Sequence, residues 1–198
     1  MSPVVRAICG CCVLMLCGMA SLSGCSLPRV VVPHDPLTAE EHVTLGEAYR
    51  LKGLREPAEK EFQAALQRQP DHVPALVGLG NLAFDAGEFQ AAEEYYRRAL
   101  VHNPDHPHAN NNLAMVYLSR GERLPEAEQL ARKALQGPAG LRPYVFDTLI
   151  TLYLKQGRVE EARSALEEAQ RDGLPEDERL RDRFRQLRAE LTDRPVPP

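Results

Sequence analysis

The feature that most constrains this chain is that it repeats itself. Leu45, Gly46, Tyr49, Gly53, Ala58, Phe62, Ala65 and Pro70 return 34 residues later as Leu79, Gly80, Ala83, Gly87, Ala92, Tyr96, Ala99 and Pro104. A period of that length is one supersecondary unit, too small to bury its own apolar face. Leu113, Ala114, Tyr117 and Gly121 keep the spacing, and one inserted residue between Gly121 and Glu126 then moves Ala127, Ala131 and Ala134 by one place. A fourth unit carries Leu149, Ile150, Tyr153, Gly157, Ala162, Leu166 and Ala169. Within a unit the apolar residues fall three or four apart, as in Leu76, Leu79 and Ala83 and then Ala92, Tyr96 and Ala99. That is the stripe of an amphipathic helix, twice per unit.

The punctuation agrees. Gly53, Gly87, Gly121 and Gly157 stand between the two helices of each unit, where a left-handed turn residue ends the first. Pro70 and Pro104 end the second. Thr38 with Glu41 forms a capping box, and Pro57, Pro107, Pro125 and Pro143 suit first-turn positions that need no N–H. Small Gly80 and Ala92 allow close approach of paired helices, with Phe62 or Tyr96 filling the space beside them. The pattern resembles the tetratricopeptide repeat over residues 39 to about 174. The resemblance implies an all-α fold: a right-handed superhelical solenoid of four helix-turn-helix repeats, 39–72, 73–106, 107–142 and 143–174. The last repeat needs a lid, and residues 175–192 supply a capping helix with Leu180, Phe184, Leu187 and Leu191 on one face. Residues 193–198 form a frayed tail.

Ahead of the repeats, Arg6 precedes an apolar or small-residue run, Ala7 to Leu22, closed by Leu22-Ser23-Gly24-Cys25. Charge, apolar core and small residues at the cut are the order of a secretory signal over residues 1–24. The run is shorter than the ~20 apolar residues that span a bilayer. Its last four residues resemble the bacterial lipobox, which implies cleavage before Cys25 and lipidation of that thiol. Ser26, where an Asp would signal inner-membrane retention, implies sorting to the outer membrane with the domain in the periplasm. Residues 25–37 are the lipidated Cys and a tether carrying Pro28, Pro33 and Pro36, whose twelve residues 26–37 extend up to ~37 Å at ~3.1 Å per residue. All five cysteines lie in the first 25 residues, so no disulfide framework holds the repeats together.

Composition narrows the function. Without residues 1–24 the chain carries 23 Lys and Arg against 28 Asp and Glu, a formal charge of −5. That balance speaks against nucleic acid as a partner. No phosphate loop, nucleophile elbow or metalloprotease helix occurs after residue 24, so neither an enzyme nor a cofactor nor a small-molecule substrate is expected. His102, Asp105, His106 and His108 crowd one turn, but Asp71-His72 fills the same repeat slot as Asp105-His106 and marks the pair as turn sequence rather than a metal site.

The tetratricopeptide resemblance also implies which residues face the concave side. By count these include Glu47, Asn81, Asp85, Asn111, Asn112, Met115, Asp147, Thr148 and Thr151, a neutral to acidic, amide-rich wall. Asn81 and Asn112 occupy the places of the Asn pair in chaperone-binding domains that hold a peptide's terminal carboxylate, and Asn at such places is also common in repeats at large. An Asn both donates and accepts, so two of them one repeat apart suit the backbone of an extended peptide. The basic partners of that clamp are absent: Val77, Tyr144 and Thr148 stand in their places.

The expectation is a membrane-anchored interaction scaffold. It would bind another envelope protein or peptide segment and touch the membrane through the lipid on Cys25, in the manner of pilotins and assembly factors of pilus, secretion or outer-membrane machinery. A second reading, from the resemblance of residues 32–38 and the first repeat to a segment appended to cysteine-peptidase lipoproteins, is an accessory subunit of an envelope cysteine-peptidase system.

Overall fold

The computed structural model describes residues 35–173 and 177–193, and the signal segment, the lipidation position Cys25 and most of the tether lie outside them. Among the described residues the secondary structure is helical throughout. Four hairpins follow one another: α1 (Ala39–Leu51) with α2 (Arg55–Arg68), α3 (Val73–Asp85) with α4 (Phe89–His102), α5 (Pro107–Arg120) with α6 (Leu124–Ala134), and α7 (Arg142–Lys155) with α8 (Val159–Asp172). A ninth helix, α9 (Glu178–Asp193), follows them and packs on α7 and α8. Each second helix packs on the first helix of the next hairpin, and first helices also touch one another along the array. None of these helices is long and apolar enough to cross a membrane.

The turns inside the hairpins are copies of one motif. Gly53, Gly87, Gly121 and Gly157 have φ of 72°, 74°, 72° and 73°. The amide of the residue after each glycine then reaches back five residues: Leu54 to the Tyr49 carbonyl, Glu88 to Ala83, Glu122 to Tyr117 and Arg158 to Tyr153, at 2.8–3.1 Å. This is the Schellman pattern, which satisfies carbonyls a helix end leaves open. At the amino end, Thr38 Oγ1 accepts from the Glu41 amide at 3.2 Å while the Thr38 amide donates to Glu41 Oε2 at 2.7 Å, completing the capping box. The residue inserted in the third hairpin is absorbed by Arg123, whose φ of 53° puts it in the left-handed region just before α6.

Packing follows the sizes written into the repeat. A Cβ placed on Gly46 would lie 2.7 Å from the Phe62 ring, on Gly78 2.4 Å from the same ring, and on Gly80 2.4 Å from the Tyr96 ring. Each ring therefore occupies the space a side chain would need. In the third hairpin Ala114 and Ala131 stand at the glycine and ring positions, and in the fourth Ile150 and Leu166; all four are buried. As the first partner grows from Gly to Ala to Ile, the second shrinks from an aromatic ring to Ala or Leu. Leu180, Phe184, Leu187 and Leu191 of α9 are buried in the apolar cluster that runs from α3 onward, so α9 closes the end the fourth hairpin leaves open.

The acidic and basic runs on the second helices are more than solvated faces. Glu93, largely shielded, meets Arg97 at 3.0 Å, Arg120 at 2.8 Å and Arg123 at 3.2 Å, and accepts from the Tyr117 hydroxyl at 3.2 Å. One repeat on, Glu128 meets Arg132 at 3.0 Å and Arg158, and accepts from the Tyr153 hydroxyl at 3.1 Å. Arg123 and Arg158 lie over those two tyrosine rings at 4.7 and 4.6 Å. The same knot of one glutamate, one tyrosine and two arginines, joined by Arg120 in the first case, thus ties hairpin two to three and three to four.

Candidate functional site: the groove of the second and third hairpins

The first helices carry the polar residues that the core rejects, and repetition places them side by side. Asn81, Phe84 and Asp85 of α3 face His108, Asn111, Asn112 and Met115 of α5. Tyr96 enters from α4 and Arg50 from α1. The far wall is Pro138, Gly140 and Leu141, at the 3-10 turn Ala139–Leu141, followed by Tyr144 of α7. Together they line an open cavity of about 730 Å³, a size that admits a ligand or a few residues of extended chain.

The two asparagines expected to act together are joined to each other. Asn81 Oδ1 accepts from Asn112 Nδ2 at 2.8 Å and from the Tyr96 hydroxyl at 2.8 Å. Burial holds the Tyr96 phenol well above its ordinary pKa, so it stays a donor. The Asn81 carbonyl is thereby used up, and what the pair offers a ligand is the Asn81 amide N–H groups and a lone pair of Asn112 Oδ1. Asn111, beside them, is only 2% exposed. Its Nδ2 points to Asn112 Oδ1 and Met115 Sδ, both at 3.5 Å, while its Oδ1 is buried without a partner.

The remaining concave positions, Glu47, Asp147, Thr148 and Thr151, do not line this cavity. Glu47 accepts from Arg50 Nε at 2.9 Å, and Arg50 also reaches Asp85 at 3.4 Å, a charged rim at the first-hairpin side of the cavity. Asp147 and Thr151 are engaged by Arg183 of α9, at 3.2 and 3.4 Å, and burial raises the Asp147 carboxyl while Arg183 opposes the shift. Thr148 corrects the sequence expectation. It is 4% exposed and donates back to the Tyr144 carbonyl at 3.1 Å, turned inward where α7 is packed by α5, α8 and α9 together.

Arg183 escaped sequence reasoning because counting stopped at residue 174, although α9 sits where a further first helix would. The signal was there: Arg183 is the sixth residue of α9, the register of a groove position. Of the crowded histidines, His106 caps α5, its Nδ1 accepting the Ala109 amide at 3.2 Å, and Asp105 pairs with Lys133 at 2.9 Å.

A family model for the tetratricopeptide repeat matches residues 43–101 and 77–142, together just over half of the chain. The chain belongs to the tetratricopeptide repeat family. Solved tetratricopeptide and related structures share the fold. PilF of Pseudomonas aeruginosa superposes with a TM-score of 0.70 at 24% identity, over 77% of this chain and 67% of its own. A thermophilic TPR protein of Thermus thermophilus gives 0.61 at 25% identity, over 80% and 84%. YrrB, described as a TPR protein with an unusual peptide-binding site, gives 0.59 at 20% identity, over 75% and 74%. No curated protein matches the sequence. Tetratricopeptide domains are interaction scaffolds, generally without catalytic activity, that bind peptides or proteins, and no enzyme family is indicated for this one.

Proposed function

We propose that this protein is a lipid-anchored scaffold at the periplasmic face of the outer membrane that holds a segment of another envelope protein in the groove of its second and third hairpins, in the assembly of a pilus, a secretion system or the outer membrane. The observation that carries the binding half is the Asn81–Asn112 pair, lining an open, largely apolar cavity with amide groups left for a peptide backbone. A family of interaction scaffolds and a neighbour described by its peptide-binding site support it. The anchoring half rests on Leu22-Ser23-Gly24-Cys25 behind a signal-like run. One acyl chain binds a membrane only marginally, at ~0.8 kcal/mol per buried CH₂, whereas two or more hold it stably.

Two substitutions separate the halves. Cys25→Ser should abolish incorporation of labelled palmitate and move the protein from the membrane fraction, without altering the helical content of the repeats. Asn112→Arg should leave the protein lipidated and in the membrane while losing the partner recovered from crosslinked envelopes. Palmitate incorporation unchanged by Cys25→Ser contradicts the anchor, and partner recovery unchanged by Asn112→Arg contradicts the groove.

A further inference from the structure

The cavity has a chemical bias that narrows what fits it. Its walls are apolar or aromatic at Phe84, Met115, Leu141 and Tyr144, and Tyr144 is exposed enough to be stacked upon, at 44%. Its arginine, Arg50, is already bound to Glu47 and Asp85, so it does not stand ready to neutralise an incoming anion. One acceptor of its lining is unmet. Asn81 Oδ1 takes two hydrogen bonds, yet Asn111 Oδ1 next to it is buried with none. A buried acceptor left unmade is costly, and a ligand that supplies an N–H or O–H there recovers that cost on binding.

Resting on the groove reading above, we infer that the cavity takes a tyrosine or tryptophan side chain from an internal, uncharged stretch of the partner, its ring against Tyr144 and Phe84 and its hydroxyl or indole N–H donated to Asn111 Oδ1. Buried Tyr and Trp pair a large apolar body with one donor at the tip, which is the inverse of this cavity. Leu or Phe would fill the walls and leave the oxygen unmet. A terminal carboxylate would find only the neutral Asn81 amide and an arginine already paired with Glu47 and Asp85. Met115, an unbranched thioether 3.5 Å from Asn111 Nδ2, is the flexible neighbour whose shift lets that amide turn its buried oxygen to the ring tip.

The test uses acetylated, amidated nonapeptides of Ala, Ser and Gly with one central Trp, Tyr, Phe, Leu or Ala, titrated against the full chain. The protein has no Trp, so indole emission reports the ligand alone. Trp and Tyr peptides should bind about tenfold tighter than Phe, a margin typical of one buried hydrogen bond to a group otherwise left unsatisfied. In Asn111→Leu that preference should vanish while Phe affinity holds. Because the variant removes an unsatisfied group, its unfolding midpoint should not fall. Should Asn111→Leu prove unstable, the Tyr-to-Phe comparison on the native protein decides alone. Equal binding of Phe and Tyr, or a preference that survives Asn111→Leu, overturns the inference and leaves a groove selective only for apolar bulk. No binding by any of the peptides also overturns it, and the groove reading is then judged separately by partner recovery with Asn112→Arg.

Discussion

At Gly80 two effects of opposite sign meet. Replacing a mid-helix glycine by alanine ordinarily stabilises by up to ~1 kcal/mol through helix propensity. Here the new Cβ would sit 2.4 Å from a Tyr96 ring that is fully buried and tethered through its hydroxyl to Asn81, so the ring cannot swing away. Overpacking of that kind costs about 1–3 kcal/mol, and Gly80→Ala should therefore destabilise the protein in urea unfolding despite its better propensity. His106 carries a pH dependence. As the cap of α5 its Nδ1 must be unprotonated, and burial, with the neighbouring His108 charge, lowers its pKa from the ordinary value. The unfolded chain protonates near ~6.5, so the contribution of this cap is fully present above that pH and is lost as pH falls from there towards the lowered folded value. His106→Ser keeps a cap that does not titrate. It should match the native protein at pH 7.5 and exceed it at pH 5 by about 1 kcal/mol, the usual worth of a cap; thermal melts at the two pH values measure this.

Between elements, the Glu–Tyr–Arg–Arg knots hold successive hairpins in register. Glu128 is shielded and accepts from Tyr153 besides meeting two arginines, which sets it apart from exposed pairs worth almost nothing. Glu128→Ala should cost about 1–2 kcal/mol and reduce the coupling of the fourth hairpin to the third, read as a broadened unfolding transition. A superposable, sharp transition at unchanged midpoint would show the knot to be ornamental. These knots also show where sequence reading stops. The period, the glycine turns, the capping box and the Gly–ring contacts were legible because each is a local or a repeat-to-repeat relation. Glu93 and Arg97, four apart on one helix, read in sequence as an ordinary helix-face pair, since Arg120, Arg123 and Tyr117 come from the next hairpin. Thr148 and Arg183 were misjudged or missed for a related reason. A count along the repeat assigns every fourth-repeat position to the groove, but α9 and the inward turn of α7 decide which of them reach it.

For the whole molecule, stacked hairpins bury two adjoining apolar clusters, one of the first hairpin with α3 and one running from α3 to α9, while their first helices line up polar side chains beside them. That arrangement turns Asn81, Asn111 and Asn112 from three isolated amides into one wall, and α9 extends the wall with Arg183 rather than merely ending the array. The central claim is that partners are held on this wall. Photoreactive residues placed in living cells at Asn112 and Tyr144, on the groove, and at Glu94 and Gln129, exposed on α4 and α6, test it most directly. The account predicts a discrete crosslinked envelope protein from the first two positions and none from the second two. The same product from Glu94 or Gln129, with silence at Asn112 and Tyr144, would contradict it.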